Sequence, residues 1–301
     1  MFNRNLPWNQ FGINVSSAKS VEEALNLAEL NWTVDSKPIF DSNGKIIEGF
    51  SANTRSSDGE VLGIVGKRYQ VVQNIEAFDF TNSLVDEGVT FDKAGVFHHG
   101  RAVWLLAKLP ETAILGDKFD PYVVFINSHD GTGAIKVAMT PIRIACSNSL
   151  NVALRKASRS WSTRHMGNIN QKLSEAKHTL GMANDYMSML SEEADKLVNK
   201  TLTKNQFEEI FDSVFPIDQN NDSNRKVNNI LDMKEGMFRA LEADDLSNFR
   251  GTAWGALNAV TDYVDHASPA RLTSSFEERR WEKIASGHAT VDSFFEKISR
   301  I

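Results

Sequence analysis

Nine small or apolar residues set the strongest constraint on how this chain folds. Ile169, Leu173, Ala176, Leu180, Ala183, Met187, Leu190, Ala194 and Leu197 step by four and three residues without a break. Such a seam, held for four heptads, requires one long helix with a continuous apolar edge. It serves either an oligomerisation helix or a long helix packed in its own domain. The many alanines permit close approach but weaken a free-standing coil, so the packed helix is preferred.

The chain before this seam has a different texture. Ile46 to Arg55 and Glu60 to Val72 read as strands around Asp58-Gly59, a strong hairpin signal. Val89 to Phe97 and Arg101 to Leu109 flank His98-His99-Gly100, and Tyr122 to Ser128 and Ala134 to Ile144 flank Asp130-Gly131-Thr132-Gly133. Two helices interrupt these runs. Val21 to Trp32 has Ser20 as N-cap with Glu23 in a capping box, and a helix capped by Asn74 runs to about Glu87 with Ile75, Phe78 and Val85 inward.

After Cys146, Ser147 to Lys156 reads as a short helix, and Ala157 to Gly167 as a polar, basic connection. Beyond the seam, Thr203 and Gln206 form a capping box before a helix that Pro216 ends. Helices follow over Arg225 to Leu241, Thr252 to His266, Phe276 to Ser286 and Thr290 to Ile298. The expected fold class is α+β. Residues 1–146 form a mostly antiparallel sheet with covering helices and residues 147–301 form a helical region, either as two units or as one continuous domain.

Charge is segregated. From Gly131 to Ser174 there is no Asp and no Glu, while Lys136, Arg143, Arg155, Lys156, Arg159, Arg164 and Lys172 give the window +7. The whole chain is −6, so the remainder is −13. A positive field on part of a negative molecule selects anionic partners. Arg155 and Arg159 share a helix face, Ser158, Ser160, Ser162 and Thr163 interleave with them, and Trp161 lies between. Hydroxyls and guanidinium groups suit phosphate oxygens, and a Trp among cations can stack on an unpaired base. This points to single-stranded DNA. The competing reading pairs these cations with carboxylates from elsewhere and makes Trp161 a core anchor.

Little supports catalysis. No phosphate loop, nucleophile elbow or zinc-protease helix is present. The single cysteine, Cys146, closes no disulfide and reads as a buried small hydrophobe. His98-His99 reads as a solvated turn. Asn258, Thr261, Asp262 and Asp265 make one polar helical stripe, with His266 four residues after Asp262. Asp262, Asp265 and His266 are thus weak metal candidates, and a metal-dependent nuclease is the least favoured reading. No cofactor is expected. The start lacks an apolar signal core and no run approaches eighteen apolar residues. The expectation is a soluble protein of the bacterial cytoplasm with no membrane contact.

Several ordered stretches resemble a known family. LGIVGKRYQVVQNIEAFDF, GRAVWLLAKLP, NSHDGTGAIKVAMTPIRIACSNSLNVAL and TRHMGNINQKLSEA, with the later GTAWGALNAVTDYVDHAS, are similar to the phage- and plasmid-borne family catalogued as domain of unknown function 932. Ser149 and Met166 stand where members often have Thr. The resemblance covers roughly residues 30 to 270 and implies a mobile-element setting, with no settled activity and no catalytic residues to transfer. The family's motif positions fall on Arg143, Asn148, Arg164 and His165, all inside the acid-free window.

The leading expectation is therefore a non-enzymatic DNA-binding homo-oligomer that binds or anneals single strands in replication or recombination. Its surface would comprise Arg143, Asn148, Arg155, Lys156, Arg159, Trp161, Arg164, His165 and Lys172. At the level of architecture only, this is similar to phage single-strand annealing proteins. The alternative is an anti-defence protein that binds a host immune complex through its acidic remainder.

Overall fold

The structure is a computed structural model. It describes residue 6, residues 8–82, 88–154 and 158–168, positions 171, 173 and 175, residues 179–267 (backbone alone at 179 and 180), 273 and 275–301. The fold is α+β, with an antiparallel sheet in the N-terminal half and helices following.

The main sheet is built on β1 (Ile13–Asn14), β5 (Thr90–Phe97), β6 (Ala102–Lys108), β8 (Asp117–Ser128), β9 (Ile135–Arg143) and β10 (Asn148–Ser149), in the order β1-β5-β6-β8-β9-β10. β7 (Thr112–Ile114) pairs with β8, and β11 (Ser160–Thr163) pairs with β9. β10 and β11 correct the sequence reading. Residues 147–154 contain no helix, and the expected basic connection supplies a strand.

Both faces of this sheet are covered, which explains why β6 reads as an unbroken apolar run. Val103, Leu105 and Ala107 point to one side and join α2 (Val21–Leu27), α3 (Asn74–Phe78) and the C-terminal helices in the larger core. Trp104 and Leu106 point to the other and meet Trp8 of α1 (Trp8–Phe11) and Trp281, Ile284 and Ala285 of a later helix. Helix α3 departs from expectation at its start. Gln73 is the N-cap, boxed with Glu76, while the Asn74 side chain turns inward to Leu30 O, and Ile75 is exposed.

The seam forms α4 (Thr179–Val198). Ala183, Leu190, Ala194 and Leu197 are buried in the chain's own core, as is Leu173 upstream. Each fully buried leucine of this kind contributes about 1.5–3 kcal/mol. Tyr186 joins them and donates to Leu150 O and Val152 O at 3.1 and 2.8 Å. Ile169 and Ala176 lie outside the described residues, as does the side chain of Leu180. α5 (Lys204–Val214), α6 (Asn224–Ala240), α7 (Ala253–His266), α8 (Phe276–Ser286) and α9 (Ala289–Ile298) complete the helical half. One hydrophobic cluster draws side chains from both sides of residue 146.

A second sheet forms an arm of β2 (Val34–Phe40), β3 (Ile46–Arg55) and β4 (Val61–Gly66), in the order β2-β3-β4. Its inner face is seated on the turn after β8. Asn53 Nδ2 donates to His129 O at 2.8 Å, and Gly63 faces Asp130 so closely that an added Cβ would lie 2.5 Å from Asp130 Cα.

Candidate functional site

Two of the four described cations of the acid-free window, Arg143 and Arg159, are paired with acids from outside it. Arg143, at the end of β9, is 1% exposed. Its Nε donates to Asp117 Oδ2 at 2.6 Å, while its terminal nitrogens donate to Asp245 Oδ2 and Asp245 O at 2.9 and 2.8 Å. Arg159 makes a two-pronged pair with Asp292 at 2.7 and 2.9 Å and also donates to Asn151 O. Asn148 is fully buried, and its side-chain amide lies 3.1 Å from His266 Nε2. Trp161 is half-buried on β11 and packs on the main core.

His165 is buried and stacks on Tyr69, with ring centroids 4.8 Å apart and planes 12° from parallel. Lys136 is half-buried, and burial, with Arg159 nearby, pushes its pKa down. Arg155, Lys156 and Lys172 lie outside the described residues. Of the proposed DNA-contacting cations in the described residues, Arg164 alone is exposed without an ion pair. The expected patch of Arg143, Asn148, Arg159 and His165 is therefore corrected. Asp117, Asp245 and Asp292 hold Arg143 and Arg159, α7 covers Asn148, and Tyr69 and Gln70 cover His165.

The metal candidates are corrected in the same way. Asp265 is buried and accepts from Ser149 N and Oγ at 2.6 and 2.7 Å. Burial pushes its pKa up to about 7. His266 Nδ1 lies 2.9 Å from the Arg280 guanidinium, a cation that opposes a second cation at the same ring. Among the described residues no three His, Cys, Asp or Glu side chains gather into a metal-binding group. The polar stripe of α7 instead ties β10 to α7 and α8. Cys146 is buried, and burial pushes its thiol pKa up to about 12, so the thiolate needed of a nucleophile is suppressed. His98 ties a surface turn to α8, with Nε2 2.8 Å from Glu282 and its backbone N–H donating to Glu278.

Two features lie outside the sequence reading. The first is a buried polar junction beneath the arm, where the segments RYQVVQN, NSHDGTG and TRHM meet. Asn74 Oδ1 accepts from His129 Nε2 at 2.9 Å and from Asn127 Nδ2 at 3.3 Å. Tyr69 donates its hydroxyl to Ser128 O at 2.8 Å. Gln70 N donates to His165 O at 2.8 Å, and Gln70 O accepts from His165 Nδ1 at 3.2 Å.

The second feature is the arm's outward face. Phe50 pairs with Gly66 and Ala52 with Ile64, so strand alternation puts Phe50 and Ile64 on one side, while Phe40 pairs with Ile46 towards the β2–β3 turn, beyond a register shift. Phe40, Ile46, Phe50 and Ile64 are 56, 52, 53 and 51% exposed. At the arm's base, Lys67, Arg68 and Arg164 are exposed and form no ion pair among the described residues. The signal was present in the large apolar residues Ile46, Phe50 and Ile64 of two strand-like runs. It is hidden by the absence of any sequence mark telling a solvent-facing apolar row from a core-facing one.

The model of the domain of unknown function DUF932 matches residues 61–285. The chain belongs to the DUF932 family. All of the buried junction except Asn53 falls within the matched span, whereas β2 and β3 of the arm precede it. No curated protein and no solved structure matches the chain. Among the described residues no helix is long and apolar enough to cross a membrane.

Proposed function

We propose that this DUF932 member is a non-catalytic binding protein that holds a partner protein on the outward face of the β2-β3-β4 arm. One observation carries the reading. Four large apolar side chains of the arm, Phe40, Ile46, Phe50 and Ile64, are each more than half exposed, and Phe50 and Ile64 share one sheet face. Soluble chains concentrate apolar surface in this way chiefly at interaction sites. Finishing the burial of four such residues is worth several kcal/mol before the costs of association. The flanking charges Asp35, Lys37, Asp41, Lys45 and Glu48 nearly cancel, so the face has no field that selects phosphate. In the phage or plasmid setting that the family resemblance implies, a host defence complex is a partner of the right kind.

Single-stranded DNA is the second reading, favoured by Lys67, Arg68 and Arg164 at the arm's base. A strand would stack on Phe50 and run across these cations. One experiment separates the two. Tagged protein and an F50S/I64S variant are incubated in bacterial host lysate, and each is titrated with a labelled oligonucleotide at two salt concentrations. A stoichiometric protein retained by the wild type and lost by the variant, without oligonucleotide binding, supports the first reading. Oligonucleotide binding that weakens steeply with salt and is lost in K67A/R68A/R164A supports the second. A doubled particle mass in the absence of either would assign the face to self-association.

A further inference from the structure

The buried junction beneath the arm presents acceptors without donors. His129 gives its single ring proton to Asn74 Oδ1, an acceptor, so its lone pair sits on Nδ1. His165 gives its ring proton to the carbonyl of Gln70, so its lone pair sits on Nε2. Neither lone pair has a hydrogen-bond partner, and the same is true of Asn53 Oδ1 and Asn127 Oδ1. All four side chains are at least 98% buried. Leaving a buried acceptor unpaired costs about 1–3 kcal/mol each, so four in one neighbourhood call for an electropositive guest.

They share that neighbourhood through common partners. Asn127 and His129 both bond Asn74, Asn53 bonds the His129 carbonyl, and Tyr69, stacked on His165, bonds the adjacent Ser128 carbonyl. The arrangement also matches how proteins prepare imidazole ligands. A ligating His donates its other ring N–H to a carbonyl or carboxylate, which fixes the tautomer and aims the lone pair.

We propose that the His129–His165 junction binds one divalent transition-metal ion through His129 Nδ1 and His165 Nε2, with the amide oxygens of Asn53 and Asn127 as neutral donors. Imidazole nitrogens suit zinc, copper, nickel and cobalt, whereas magnesium and calcium prefer an all-oxygen set. The Asp130 carboxylate, whose field acts on both rings, offsets part of the ion's charge. A bound ion would tie the arm's base to β8 and β11. The role is to fix the arm, and it stands whichever partner the arm takes.

The test uses the full chain, stripped with chelator and titrated with cobalt(II) or zinc(II) alone. Calorimetry and the cobalt absorption bands should report one saturable equivalent, with a raised melting temperature on loading. His165→Gln should weaken binding at least tenfold, and His98→Gln with His99→Gln, which removes the surface histidines, should leave it unchanged. If His165→Gln does not fold, Asn127→Asp supplies the second arm, because an added carboxylate should tighten binding. Absence of a one-to-one complex in the wild type, or equal binding by His165→Gln, would overturn the proposal and leave water as the guest.

Discussion

Arg143 separates a structural account of the acid-free window from an electrostatic one. Truncation to Ala removes a guanidinium that bonds two carboxylates and the Asp245 carbonyl, and strips the stem and cation from the Phe249 ring 5.7 Å away. Breaking a buried pair by deleting one partner costs roughly 3–5 kcal/mol. Asp117 and Asp245 are 26 and 16% exposed, so water reaches the stranded carboxylates and the lower end applies. The expected loss is about 3 kcal/mol, or about 5 °C in melting temperature for a chain of this size. Arg143→Lys keeps charge but not the fork and should lose about half as much. Arg164→Ala, on an exposed and unpaired residue, should stay within about 0.5 kcal/mol. Urea unfolding followed by tryptophan fluorescence measures all three. If Arg143→Ala unfolds with the wild type and instead weakens oligonucleotide binding, the reasoning fails.

Three further outcomes follow from particular contacts. Asp265 has its folded pKa raised to about 7 by burial, so its contribution is fully present below the unfolded value near 4 and is lost as pH rises through 7. Asp265→Asn should flatten the fall in stability between about pH 4 and 7, seen in denaturant midpoints measured across that range. Gly63→Ala would push a Cβ against the Asp130 backbone, so the arm should unseat, read as faster amide exchange over residues 50–66 with the main sheet unaffected. Phe50→Ser with Ile64→Ser should lower unfolding free energy by no more than about 2–3 kcal/mol, because only about half of each side chain is buried. A larger loss in the melting curve would mean that the face is packed within the chain.

Much of the fold was legible because its signals are local. The hairpins around Asp58-Gly59 and His98-His99-Gly100, the Thr203–Gln206 capping box and the helix over Phe276–Ser286 each depend on residues a few positions apart. The seam was legible as a helix, and its alanines correctly pointed to packing within the chain. The site was less legible because its determinants are long-range. The acid-free window holds no carboxylate, yet Asp117, Asp245 and Asp292 arrive from 26, 102 and 133 residues away. For Arg143 and Arg159, separation from carboxylates along the sequence therefore did not become separation in space. The Asp262, Asp265 and His266 stripe had the right helical spacing, but α7 is buried on nearly all sides, so its polar face was turned inward. The histidine junction required His129, after β8, and His165, after β11, to meet the segment from Tyr69 to Asn74, a proximity no local period encodes.

The central claim is that the arm's outward face receives the partner. Hydrogen–deuterium exchange on the free chain and on the isolated complex tests it most directly. Binding at this face predicts new protection over residues 37–50 and 61–66, with little change elsewhere. Protection confined to residues 131–174, with the arm exchanging as in the free chain, would contradict it.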